Sequence, residues 1–153
     1  MSALPPALAK AATERLDESL GFLVRTSFRA MVRALARELQ PHGVSTAEWS
    51  ALRVLWRGDG ISQVELAERM GVERGSLTRV LAGLEAHGLL RREPDGADGR
   101  KLRLHLSPTG RALEPVLLPC GIAANERATA GLTQAEVDTA RRVLHRLVTN
   151  LES

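Results

Sequence analysis

A chain of 153 residues with 44% hydrophobic and 25% charged side chains has the size and balance of one globular domain, which excludes wholesale disorder, two independent cores and a membrane class. The formal charge of +3 is modest and almost wholly arginine, since Lys10 and Lys101 are the only lysines, so bulk charge names no partner and its distribution must decide. The single cysteine, Cys120, excludes an internal disulfide framework and a Cys-rich metal site. No apolar run approaches the roughly 20 residues a bilayer span needs, and Met1 to Lys10 lacks a basic segment followed by an apolar signal core. The expectation is a cytoplasmic protein with no membrane partner.

Taken in chain order, Leu8, Ala12, Leu16, Leu20, Leu23 or Val24, Ser27, Met31, Leu35 and Leu39 recur every three to four residues and predict one long helix ending before Pro41 and Gly43. Ser45 with Glu48 is a capping box that starts a helix over 46–57, closed by Gly58 and Gly60. Ser62 with Glu65 starts a short helix to Met70, stopped by Gly71. A further helix over 73–87 carries Leu77, Val80, Leu81 and Leu84 on one face and has Gly88 as its C-terminal cap. The period then changes from helix to strand. Leu89 to Glu93 read as extended, 94–99 as a turn, and Leu102, Leu104 and Leu106 alternate with Arg103 and His105, which predicts a β-hairpin. Ser107 before Pro108 starts another helical stretch, bent at Pro115 and Pro119, and Thr133 with Glu136 starts a last amphipathic helix to Leu151.

Two helices joined by a tight Gly71 turn and followed by a hairpin make the order of a winged helix-turn-helix. The fold class is therefore mainly α with a small β-hairpin wing. The chain reads as a single domain (1–153), with the winged helix-turn-helix at 45–106 and helical regions at 5–40 and 107–152. With the leucine face of helix 73–87 in the core, a helical wheel turns Gly75, Thr78, Arg79 and Ala82 outward, flanked by Arg74 and Ser76. These suit a DNA groove: Arg74 and Arg79 can donate to guanine or phosphate, the hydroxyls of Ser76 and Thr78 reach either, and Gly75 allows close backbone approach. In the wing (94–101) and just beyond it, Arg100, Lys101 and Arg103 concentrate charge opposite Arg91 and Arg92, and an arginine at the tip can enter a narrow minor groove. Between positions 74 and 103 seven basic residues face four acidic ones, a local excess of 7 − 4 = +3.

The ordered set Ser45, Thr46, Glu48, Trp49, then Gln63, Glu65, Leu66, Ala67, Gly71, Arg74, Ser76, Thr78, Arg79, then Gly88, Leu89, Asp98, Arg100, Ser107 and Gly110 resembles the MarR (multiple antibiotic resistance regulator) family. That resemblance implies a homodimer made by the N- and C-terminal helices, a recognition helix covering Arg74 to Arg79, and a wing motif at Asp98, Gly99 and Arg100. It also implies repression by binding double-stranded DNA at a pseudo-palindromic operator, relieved by a small-molecule effector. Gly75 and Gly99 depart from the family pattern, where a hydroxylated and a basic residue are usual, so base preference and wing contact are the features that differ here.

Plainer readings stand beside these. Arg91 or Arg92 can neutralise Glu93 or Asp95 instead of meeting DNA, and Asp98 orients Arg100 more readily than it approaches phosphate. Trp49 and Trp56 read as core, His42 as a surface or capping residue, and Cys120 as a small buried apolar residue. His42, His87, His105 and His145 show no ligand spacing, and neither a metal nor a cofactor is expected. A nucleophile with a paired base, a phosphate loop and a carboxylate pair are all missing, so an enzyme is not expected. The alternatives to a DNA-binding regulator are a winged helix used for protein contact and a redox sensor built on Cys120.

Overall fold

The computed structural model describes residues 19–96 and 101–152 and is mainly helical with a two-stranded antiparallel hairpin. Helix α1 (Leu20–Leu39) is shorter at its start than the apolar stripe predicts. Ser19 is extended (φ −64°, ψ 140°) and its hydroxyl accepts from the Phe22 amide, so a new helix begins there instead of one helix running through from Leu8. The cap satisfies one of the first-turn amides that any helix leaves without a carbonyl partner of its own, a local start that periodicity does not encode. The part of that stripe before Ser19 lies outside the described residues. After α1, a 3-10 turn (Gln40–His42) holds Pro41 in its first turn, and Gly43 at φ 66° ends it.

Helices α2 (Thr46–Arg57) and α3 (Gln63–Met70) both begin with the expected capping boxes, in which Ser45 and Ser62 accept from the amides of Glu48 and Glu65 and the two carboxylates return to the serine amides. Gly71, at φ 65°, makes the turn into α4 (Arg74–Ala86), a left-handed conformation that a side chain would resist. Gly88 closes α4 in the same conformation and leads into β1 (Leu90–Pro94), which pairs with β2 (Leu102–Leu106) in the register Leu90↔Leu106 to Pro94↔Leu102. Ile61 adds an isolated antiparallel bridge to Leu104 at the base of the wing, which the sequence does not announce because it is a single residue. Leu104 and Leu106 are buried, but Leu102 is 47% exposed: the alternation continues past the edge of the core.

The segment after the hairpin divides at Leu113 into α5 (Pro108–Ala112) and α6 (Glu114–Thr129). Pro115 falls in the first turn of α6, where its missing amide has no helical partner to lose, and the helix runs on through Pro119. Helix α7 (Gln134–Glu152) starts from the Thr133 and Glu136 capping box.

Leu52 and Leu55 of α2, Leu66 of α3, Leu77, Leu81 and Leu84 of α4, and Leu104 and Leu106 of β2 close one core under the hairpin. Helix α1 packs along α6 as a second layer. The layers are joined by two tryptophans, both in packing positions. Trp49 donates from Nε1 to the Leu117 carbonyl at 2.9 Å with its ring against Gly121, and Trp56 donates to the Gly110 carbonyl at 2.9 Å. Helix α7 contributes no buried residue.

Asp59, in the α2–α3 loop, ties that loop to the foot of the wing by accepting from the Leu106 amide at 2.8 Å and from Arg111 Nη2 at 2.6 Å. Burial pushes its carboxyl up, but the Leu106 amide, Arg111 and His105 together outweigh burial and hold it below the ordinary value of 3.8. A depressed carboxyl stabilises the fold at pH values above its unfolded pKa, and that contribution disappears as pH falls through the folded pKa. Acid titration monitored by circular dichroism is therefore expected to show the wild type losing stability below about pH 4, with a shallower acid limb for Asp59→Asn. Equal acid limbs would show that Asp59 does not carry this linkage.

Candidate nucleic-acid interface

The outward face of α4 is built by the inward one. Leu77, Leu81 and Leu84 are buried at 1% or less and Val80 is half-buried, which turns Arg74, Gly75, Ser76, Thr78, Arg79 and Ala82 to the surface. Among the described residues Arg74 and Arg79 have no acidic partner, so two guanidinium groups and the amide end of the helix point outward together. Glu73 precedes the helix without a side-chain cap. The Ser76 hydroxyl donates to the Glu73 carbonyl at 2.7 Å, leaving its oxygen as an acceptor, and a Cβ at Gly75 would meet nothing within 4 Å. The start of α4 can therefore lie close against a partner.

The wing is less openly basic than its composition suggests. Arg91 pairs with Glu93 at 2.9 Å, and Arg92 donates from Nε to both oxygens of Glu85 at 3.1 Å. Arg103 sits across the hairpin from Glu93 and not from Arg91 or Arg92. Its guanidinium is half-buried and turned back onto the body of the protein, meeting Asp95 at 2.7 Å and the capping carboxylate Glu65 at 2.9 Å. Asp95 pushes the Arg103 guanidinium further up, and the Ser62 amide and hydroxyl with Arg103 hold Glu65 below its ordinary value. Arg103 thus braces the wing against the start of α3. Lys101 is exposed, and its carbonyl accepts from the Asp95 amide at 2.8 Å where the hairpin closes. Arg100, with Asp98 and Gly99, lies outside the described residues.

Sequence reasoning missed the polar ties behind this surface, chiefly Gln63, Glu85 and Asp59. Their partners stand 7 to 52 residues away, beyond the three- or four-residue reach of a helical period.

Two other features concern binding. An apolar groove of about 750 Å³ runs between α1 and α7, lined by Leu23, Val24, Phe28, Met31, Val143 and Leu144. It lies within the two helical flanks and takes no residue from the winged unit. Cys120 is buried, with its thiol against the Glu38 carbonyl at 3.6 Å. Burial and the Glu38 charge push its pKa up, which keeps sulfur in the unreactive thiol form and weighs against a redox sensor there.

Residues 42–101 match the family model described as MarR family. The chain is 32% identical over 136 residues to the transcriptional regulator TtmR of Methylorubrum extorquens, an alignment that covers 88% of this chain and about two-thirds (66%) of that protein. Its fold is similar to a probable transcriptional regulator from Pseudomonas aeruginosa, with a TM-score of 0.81, 31% identity, and 87% of this chain and 99% of that one covered. It is also similar to the MarR family protein Rv2887 of Mycobacterium tuberculosis in complex with salicylic acid, with a TM-score of 0.68, 30% identity, and 84% and 96% of the two chains covered.

Proposed function

The chain belongs to the MarR family of transcriptional regulators, and from that membership we propose that it is a homodimeric repressor that reads DNA through α4 and the wing. The observation that carries this is the exposed pair Arg74 and Arg79 on a helix whose opposite face is locked in the core. Exposed guanidinium groups beside a helix N-terminus favour phosphate and guanine edges. Ser76 and Thr78 supply hydroxyls to either, Lys101 and Arg100 supply the wing contact, and Arg103 holds the wing for them.

The dimer follows from α7. A helix of 19 residues with no buried residue gains little from its own chain, and most helical stability in proteins comes from packing an amphipathic face. Val143, Leu144 and Val148 of α7 and Leu20, Leu23 and Phe28 of α1 are all more than 45% exposed, an apolar surface suited to a second copy. Two-fold symmetry then presents two α4 helices to successive major grooves. A small-molecule effector, as salicylic acid is a ligand in the Rv2887 complex, would act by favouring a dimer whose α4 helices no longer match the groove spacing. The reading is of a cytoplasmic regulator and not an enzyme. Among the described residues no helix is long and apolar enough to cross a membrane.

Selection of bound duplexes from a random pool tests this reading directly. The expected product is a pseudo-palindrome with half-sites about 10 base pairs apart, centre to centre. A pool that stays random after repeated selection would exclude sequence-specific reading.

A further inference from the structure

The polar ties behind α4 do more than join the wing to the body. Arg92, on β1, donates from Nε to both carboxylate oxygens of Glu85, in the last turn of α4, and from Nη1 to Gln63 Oε1 at 3.4 Å. Gln63, the first residue of α3, donates in turn from Nε2 to the Arg74 carbonyl at 3.2 Å, at the first residue of α4. One guanidinium therefore holds the C-terminal end of α4 directly and the N-terminal end through one amide.

The amide has only one workable orientation. Guanidinium offers donors alone, so Gln63 must turn its oxygen to Arg92, and that leaves the NH2 group for the Arg74 carbonyl. Arg92 and Glu85 are only 27% and 34% exposed at their side chains, and their opposite charges neutralise each other.

We propose that Arg92, acting through Gln63 and Glu85, is a positioning residue that sets the pose of α4 on DNA without touching the nucleic acid. This rests on the reading that α4 is the DNA-contacting helix. The residues at stake, Arg74 to Arg79, lie at the end of α4 that Gln63 holds. Loss of the tie lets that end pivot away from the groove while the leucine face stays in the core. A charge already paired with Glu85 releases no counterion on binding, so Arg92 contributes specificity and not bulk affinity.

The full chain, as wild type, Arg92→Lys, Gln63→Met and the double variant, is titrated with the duplex selected by the wild type and with a scrambled duplex of the same length, over a series of salt concentrations. Lysine cannot bridge Glu85 and Gln63 at once, and methionine keeps the length of Gln63 without its hydrogen bonds. Each single variant is expected to lose about tenfold in affinity for the selected duplex, the loss of one charge-assisted hydrogen bond. Affinity for the scrambled duplex and both salt slopes are expected to stay at the wild-type values, and the double variant to lose no more than the worse single one, because both substitutions break the same tie.

Three results would overturn the proposal: unchanged affinity for the selected duplex in Arg92→Lys, which marks a simple charge contact to phosphate that lysine replaces; losses that add in the double variant; or parallel losses on both duplexes, which mark general damage to the fold. Gln63→Met keeps the test decisive should Arg92→Lys fold poorly, since unchanged affinity for the selected duplex in that variant also overturns it. A wild type that selects no duplex would instead overturn the DNA-reading assignment itself, a separate failure seen before any variant is made.

Discussion

Arg74→Ala and Arg79→Ala are expected to weaken binding to the selected operator by about 1–3 kcal/mol each, roughly ten- to a hundredfold, and the double variant is expected to retain only non-specific affinity. Both guanidinium groups are exposed on α4 with no acidic partner among the described residues, so neither removal leaves a buried charge or a cavity. Stability and the dimer should therefore be unchanged, which size-exclusion elution and thermal melting would verify alongside anisotropy titrations. The two positions can be told apart by salt. A phosphate contact lowers the salt slope by about one when removed, whereas a guanine contact relaxes preference at one base pair and leaves the slope nearly intact. Full operator affinity in the double variant would remove α4 as the reading helix.

A second large effect falls far from that surface. Trp49→Ala is expected to cost about 3–5 kcal/mol, enough to lower the melting temperature by on the order of 10 °C. Trp49 is 7% exposed and lies at the seam between α2 and α6. Its fit leaves no slack: a Cβ placed on Gly121 would stand 2.5 Å from Trp49 Cζ2, and the Arg53 guanidinium lies 4.8 Å from the ring centroid on α2's outer side. Trp49→Phe should cost less, about 1–3 kcal/mol, because most of the ring area is kept while the Leu117 carbonyl loses its donor. Differential scanning calorimetry of both variants checks the order. A phenylalanine variant as unstable as the alanine one would assign the effect to the hydrogen bond instead of the packing.

The two predictions differ in how far the sequence alone could support them. The face of α4 was legible because it follows from period: Leu77, Leu81 and Leu84 fix one side of the helix, and geometry assigns Arg74, Gly75, Thr78 and Arg79 to the other. The helix starts at Ser45, Ser62, Ser107 and Thr133 were legible for a similar reason, since a cap is a contact between residues three apart. The start of α1 was not. Ser19 caps a helix inside an unbroken apolar stripe, and the stripe carries no mark of the interruption.

The wing shows the limit most clearly. Composition makes it a basic hairpin, yet Arg91, Arg92 and Arg103 are each paired with a carboxylate, and for Arg92 and Arg103 those carboxylates come partly from α4 and α3. Which arginines face solvent depends on which acids the fold brings beside them, and a count of charges along the chain cannot report that. The same holds for Asp59, whose partners Leu106 and Arg111 lie 47 and 52 residues further along the chain.

What the sequence by itself determined, then, is whatever is local: the capped helix starts, the Gly71 turn, the buried face of α4 and the order of helix, turn, helix and hairpin that marks a winged helix-turn-helix. The tertiary structure alone decided the division of the arginines into outward ones on α4 and paired ones in the wing, the seam at Trp49, and the unburied α7 with its apolar groove against α1. The physical reason is range. Capping and periodicity act over three or four residues and are written in adjacent letters, whereas the pairing of Arg92 and Arg103, a packed ring or an unfilled groove joins residues beyond that reach, from 7 positions apart for Arg92 and Glu85 to 68 for Trp49 and Leu117, and exists only once the core has placed them side by side.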